Sequence, residues 1–104
     1  MSEKAGRAEY KEVVTIAKKF AEVKYPIIIR RRKIAEDGYC TLTENKFIIQ
    51  INRNLPYYVA MEVVLHETAH AMAWNKDKDD HGPNWGRAYS KIYRVFLRVY
   101  YDKK

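Results

Sequence analysis

A small α+β domain is the fold class predicted by three features of this 104-residue sequence. An amphipathic helical window opens the chain, three short runs of strand character follow, and two further helical windows close it. The length suffices for one modest hydrophobic core, so residues 1–104 are expected to form a single domain.

Residues 8–24 read as the first helix. Tyr10, Val13, Val14, Ala17, Phe20 and Ala21 share one side, whereas Glu9, Lys11, Glu12, Lys18, Lys19 and Glu22 take the other. Pro26 ends this helix, which is expected to cover a sheet and carry no chemistry.

Three strand runs come next. Ile27-Ile28-Ile29 opens the first, which continues through Arg30, Arg31, Arg32 and Lys33 to Ile34. Asp37-Gly38 is a tight-turn signal, so Tyr39 to Thr43 is expected to return as the second strand of a hairpin. Glu44-Asn45 turns the chain again into Lys46 to Asn52, where Phe47, Ile49 and Ile51 alternate with Ile48, Gln50 and Asn52. That period of two marks one buried face.

Asn54-Leu55-Pro56 punctuates the chain before a helix from Tyr57 to Trp74, apolar nearly all round as a central helix should be. His66, Glu67 and His70 interrupt it. Burying such groups without partners costs about 1–3 kcal/mol each, so their presence asks for a function. Four residues apart on a helix, His66 and His70 share a face and can direct two imidazoles at one metal ion. Glu67 is turned from them by about a hundred degrees, beside such an ion, where a carboxylate can take a proton from water. Three protein ligands plus water is the open arrangement of a catalytic zinc.

The third ligand must come from elsewhere in the chain. The metzincin positions for Gly and a further His hold Ala73 and Lys76, and no Glu follows Glu67. His81 remains, and all three histidines of the chain fall in this constellation. The loop Asn75 to Asp80 offers Asp77, Asp79 and Asp80, any of which could orient a liganding histidine. Exposed loop charge is the simpler reading. The spaced ligands and closing Glu of a Ca²⁺ loop are missing.

The last helix begins near Pro83. Trp85, Tyr89, Ile92, Phe96 and Tyr100 form its apolar stripe, and Arg87, Lys91, Arg94 and Arg98 a separate basic one with no acid before Asp102. The formal charge is +7, from 20 Lys and Arg against 13 Asp and Glu, which favours polyanions: nucleic acid, acidic proteins or anionic membrane. Arg30, Arg31, Arg32 and Lys33 either guard a strand against edge-to-edge pairing or contact phosphates. Taken with the α-helical stripe and Lys103-Lys104, they favour nucleic acid. The nine tyrosines offer stacking surfaces, although core and interface roles account for most of them.

Cys40 is the only cysteine, so no internal disulfide and no Cys-rich zinc ribbon are expected. It is expected to pack as a small hydrophobe in a strand. No apolar run follows Met1 to Arg7; no signal peptide or membrane span is expected, and the location is expected to be intracellular.

His66-Glu67-Thr68-Ala69-His70, the polar loop Asn75 to Asp80, and His81-Gly82-Pro83 with Trp85 together resemble the SprT-like, or Spartan, metalloprotease domain. The specific likeness spans residues 58–90, and Asn84 departs from it at a position where an acidic residue is expected. The resemblance implies a zincin-like fold with Zn²⁺ held by His66, His70 and His81 and with Glu67 as general base. It implies an endopeptidase associated with DNA and acting on DNA-bound or DNA-crosslinked proteins. It also implies that the third strand aligns an extended peptide along its edge. Tyr89, Tyr93 and Arg87 are the candidates for stabilising the oxyanion. Two other readings stay open. One is a non-catalytic, zinc-stabilised nucleic-acid-binding module, with Cys40 as a possible fourth ligand. The other is a peptidase with one dedicated protein substrate and no DNA. Glu67 argues against the first, because a structural site has no use for a base.

Overall fold

The computed structural model describes residues 3–79 and 81–102. Within them run α1 (Glu3–Phe20), β1 (Ile27–Arg32), β2 (Gly38–Thr43), β3 (Lys46–Asn52), α2 (Tyr57–Met72) and α3 (Pro83–Asp102). Asp80, Lys103 and Lys104, which entered the sequence reading, lie outside the described residues. The three helices and three strands match the α+β expectation, with differences at the element ends and in the sheet order.

α1 stops at Phe20 rather than near Pro26. Ala21 still donates to the Ala17 carbonyl at 3.1 Å, and then the chain leaves the helix. Val23 and Tyr25 pack against the core outside the helix, with the Tyr25 ring 6.1 Å from that of Phe47. A residue before proline is also disfavoured from helical geometry, which pushes Tyr25 toward an extended conformation.

The sheet order is β1-β3-β2, with β1 parallel and β2 antiparallel to β3. Asp37-Gly38 therefore closes no hairpin between β1 and β2, contrary to its turn-like sequence. The two-residue turn is Glu44-Asn45, which joins β2 to β3 with φ of 50° and 60° at those residues. Gly38 has a different purpose. A Cβ there would lie 2.6 Å from Val63 Cγ1 and 3.1 Å from the Gln50 carbonyl oxygen, so glycine lets β2 close onto α2. A second correction concerns β3. It is paired on both sides and has no free edge for a peptide; the free edge beside α2 belongs to β2.

β3 turns Phe47, Ile49 and Ile51 into the core, as its alternation predicts. α2 runs through the middle of the domain and touches α1, α3, β2 and β3, which explains its apolar surface. Ala60, Val64, Leu65 and Ala69 are buried along it. Thr68, also buried, donates to the Val64 carbonyl at 2.7 Å, so its hydroxyl is satisfied inside the helix. α2 ends at Met72, before the predicted Trp74. Asn75, left-handed with φ 59°, redirects the chain into the loop that leads to His81.

Candidate metal centre and catalytic cleft

The last turns of α2 carry His66 and His70 on one face, their ring centroids 5.1 Å apart. The loop after α2 returns His81 to 5.0 Å and 4.9 Å from those two rings. One ring nitrogen from each of the three lies within 4.8 Å of the others. His66 Nε2 and His81 Nε2 are 3.1 Å apart. Two nitrogens bound to one tetrahedral ion at ~2.0–2.1 Å stand roughly 3.3 Å from each other, so this donor set fits a divalent metal. Burial, and then the neighbouring His81, lowers the His66 pKa, which favours the neutral imidazole that ligates metal. Cys40 is not part of this group.

Two features hold His81 in place. Trp85, in the first turn of α3, sets its ring 4.9, 5.6 and 4.6 Å from those of His66, His70 and His81, and its indole Nε1 donates to the His66 carbonyl at 3.3 Å. Asp77 caps α3 from the loop, accepting from Asn84 N at 3.1 Å, Asn84 Nδ2 at 2.8 Å and Trp85 N at 2.9 Å. Desolvation raises the Asp77 pKa, but the hydrogen bonds from Trp85 and Asn84, with the charge of Arg87, hold it below its ordinary value. Gly82 presses on this cap: a Cβ there would sit 2.6 Å from Asp77 Cγ. The loop is thus pinned on both sides of His81. Asn84 suits the arrangement because its amide donates to Asp77 and to the Lys76 carbonyl, whereas an acid would repel Asp77. Asp77 bonds the start of α3, a role that loop composition alone does not reveal.

Glu67 is 7% exposed and its Oε2 lies 4.0 Å from His66 Nε2. Burial pushes its carboxyl up to about 7, and a cation held by the histidines would favour the charged form. Cys40 lies near it. Burial, and then the Glu67 charge, pushes the thiol up to about 12, so Cys40 stays protonated and serves as a small hydrophobe.

A cleft of 330 Å³ opens over this pair, lined by Asp37, Gly38, Val59, Glu62, Val63, His66, Glu67 and Tyr89. Sequence reasoning missed Asp37 and Glu62. Glu62 precedes His66 by one helical turn, a spacing that could have found it. The Tyr89 and Tyr93 hydroxyls donate to its two oxygens at 3.2 and 3.1 Å. Burial, and then Glu62, pushes the Tyr89 pKa up to about 12, which keeps its hydroxyl a donor. Of the three oxyanion candidates, Tyr89 lines the cleft, with its ring 6.1 Å from that of His66. Arg87 lines a different groove.

The SprT-like family profile matches residues 1–103. The chain belongs to the SprT-like family. Among solved structures it is similar to the metallopeptidase zymogen of Pyrococcus abyssi abylysin, with a TM-score of 0.53 and 15% identity over 90% of each chain. At that identity the likeness concerns the fold. A search of curated proteins finds no match.

In this SprT-like domain the cationic residues divide by environment. Arg31 is turned inward: its Nη2 donates to the Arg53 and Leu55 carbonyls, both at 2.9 Å, and its guanidinium lies 5.1 and 5.4 Å from the Tyr10 and Tyr57 ring centres. Arg30, Arg32 and Lys33 are exposed. Arg87, Lys91, Arg94 and Arg98 line a shallow 740 Å³ groove formed by α3 residues, of which the β1 cations form no part. Lys91 is paired with Glu22 at 2.6 Å, so a partner from outside α3 neutralises it. No described helix is long and apolar enough to cross a membrane.

Proposed function

We propose that this SprT-like chain is a zinc-dependent endopeptidase that works on proteins bound or crosslinked to DNA. One observation carries the peptidase reading: three histidine nitrogens within 4.8 Å, beside a carboxylate buried to 7% exposure. His66, His70 and His81 would hold the ion. When bound, zinc supplies Lewis-acid polarisation of a carbonyl and lowers the pKa of water toward about 7. Glu67 accepts the proton of the attacking water as the new C–O bond forms, and returns it to the leaving amine as the C–N bond breaks. Trp85 restricts the imidazoles. The free edge of β2 aligns an extended peptide by main-chain pairing, which is largely indifferent to side chains.

The DNA half of the reading rests on the α3 groove, where Arg94 and Arg98 form no ion pair among the described residues and all its cations leave from the helix that directly follows His81. The test is zinc content and casein-type proteolysis, with and without single-stranded DNA, on wild type and Glu67→Gln. Zinc with cleavage only in wild type supports the peptidase. Zinc without cleavage in either favours a nucleic-acid-binding module. Cleavage with no salt-dependent DNA affinity favours a peptidase with a dedicated protein substrate.

A further inference from the structure

The cleft over His66 and Glu67 is lined by acidic side chains in a chain that is otherwise basic. The net charge is +7, yet Asp37, Glu62 and Glu67 all line the cleft and, among the described residues, no Lys or Arg does. The cavity is more than a group of acids. Glu67, 7% exposed, accepts no hydrogen bond among the described residues and faces this space. Val59 and Val63 supply an apolar wall, and Gly38 brings the start of β2 against it. At the rim, the two phenol hydroxyls of Tyr89 and Tyr93 fix both oxygens of Glu62. A carboxylate has about four acceptor sites, so the Glu62 carboxylate keeps capacity for a cation.

Resting on the endopeptidase reading, we propose that this cleft is a specificity subsite for a lysine or arginine side chain flanking the scissile bond. The aliphatic stem lies along Val59 and Val63, and the cationic head meets Glu62 and Asp37. Tyr89 and Tyr93 act as positioning residues that hold Glu62 in place. A substrate rich in Lys and Arg is then chosen by the cleft itself, independently of the basic groove on α3.

The test compares matched peptides carrying lysine or norleucine, and arginine or citrulline, at each position flanking the cut. Wild type should cleave the cationic member faster, by about tenfold in kcat/KM at one position and low salt. Glu62→Gln should shrink that ratio, and Glu62→Lys should turn it in favour of a glutamate peptide. Equal rates for lysine and norleucine peptides at every position overturn the subsite while leaving the peptidase reading intact. Should zinc-loaded wild type cleave no peptide, the peptidase reading fails, and fluorescence anisotropy of the same peptides still reads the subsite. Tighter binding of the lysine peptide, lost in Glu62→Gln, then supports it, and equal affinities overturn it.

Discussion

α3 uses charge in opposite ways on its two sides. Toward the cleft, Trp85 packs on the histidines and Tyr89 and Tyr93 bond Glu62. On the groove side, Arg87, Arg94 and Arg98 stand exposed. The first arrangement is partly buried and geometrically tight, so each group acts at short range and in a fixed geometry. The second is wet, and each cation adds a small, salt-screened increment. Catalysis needs the former and capture of a polyanion the latter. The two sides of this helix therefore differ in environment and in expected sensitivity to mutation.

The largest effect should come from the tight side. Glu67→Gln keeps the volume of the side chain and removes its basicity, and should lower turnover by about a hundredfold to ten-thousandfold. Zinc content and thermal stability should stay near wild type. A variant that retained full cleavage would remove Glu67 from the mechanism and erase the contrast between the two sides.

Asp77 tests whether that tightness extends beyond the three histidines. Removing its three hydrogen bonds frees the start of α3 and the loop that carries His81. Asp77→Ala should weaken metal binding by about ten- to hundredfold, measured by competition with a chromophoric chelator. Asp77→Asn, which keeps one carbonyl acceptor, should fall between the two. Unchanged affinity in both would reduce Asp77 to an ordinary helix cap.

The histidine cluster was legible in the sequence because helical spacing and elimination are local arguments. His66 and His70 share a face by period alone, and His81 was the only remaining histidine. The Glu44-Asn45 turn and the inward alternation of Phe47, Ile49 and Ile51 were legible for the same reason. The sheet order was not. Asp37-Gly38 carries a hairpin signal, but Gly38 is there for the close approach of Val63, a contact between residues distant in sequence. Likewise Arg31 reads like its neighbours Arg30 and Arg32, and only the packing of Tyr10 and Tyr57 separates it from them. The acidic cleft joins Asp37, Glu62 and Tyr89 from three segments, beyond the reach of any periodicity.

On the wet side, Arg94→Ala with Arg98→Ala should weaken single-stranded DNA binding by about 1–2 kcal/mol at low salt. The slope of log affinity against log salt should fall by roughly one to two. DNA-stimulated cleavage should decline in parallel with zinc content unchanged. Binding as tight as wild type would make the α3 groove a merely solvated surface. Arg31→Ala offers the converse control: it should destabilise the fold through its lost carbonyl bonds and leave the salt slope alone.

The smallest effect belongs to Lys91, although the sequence places it in the same basic stripe. Its ammonium is already bonded to Glu22 at 2.6 Å, so its charge is largely compensated before any phosphate arrives. Lys91→Ala should therefore weaken DNA binding less than either arginine substitution alone. It should leave a different trace in stability. The hydrogen bond from Lys91, and then its charge, hold the Glu22 carboxyl below its ordinary value of 4.5. A depressed folded-state value means that this contribution is present above the ordinary carboxylate value and is lost as pH falls through the folded one. Both side chains are well exposed, so the contribution is small. Thermal unfolding should then place Lys91→Ala slightly below wild type at neutral pH, and the gap should close in strong acid. A gap that persisted unchanged in acid would mean that Lys91 stabilises through its aliphatic stem, and that Glu22 leaves its charge free for DNA.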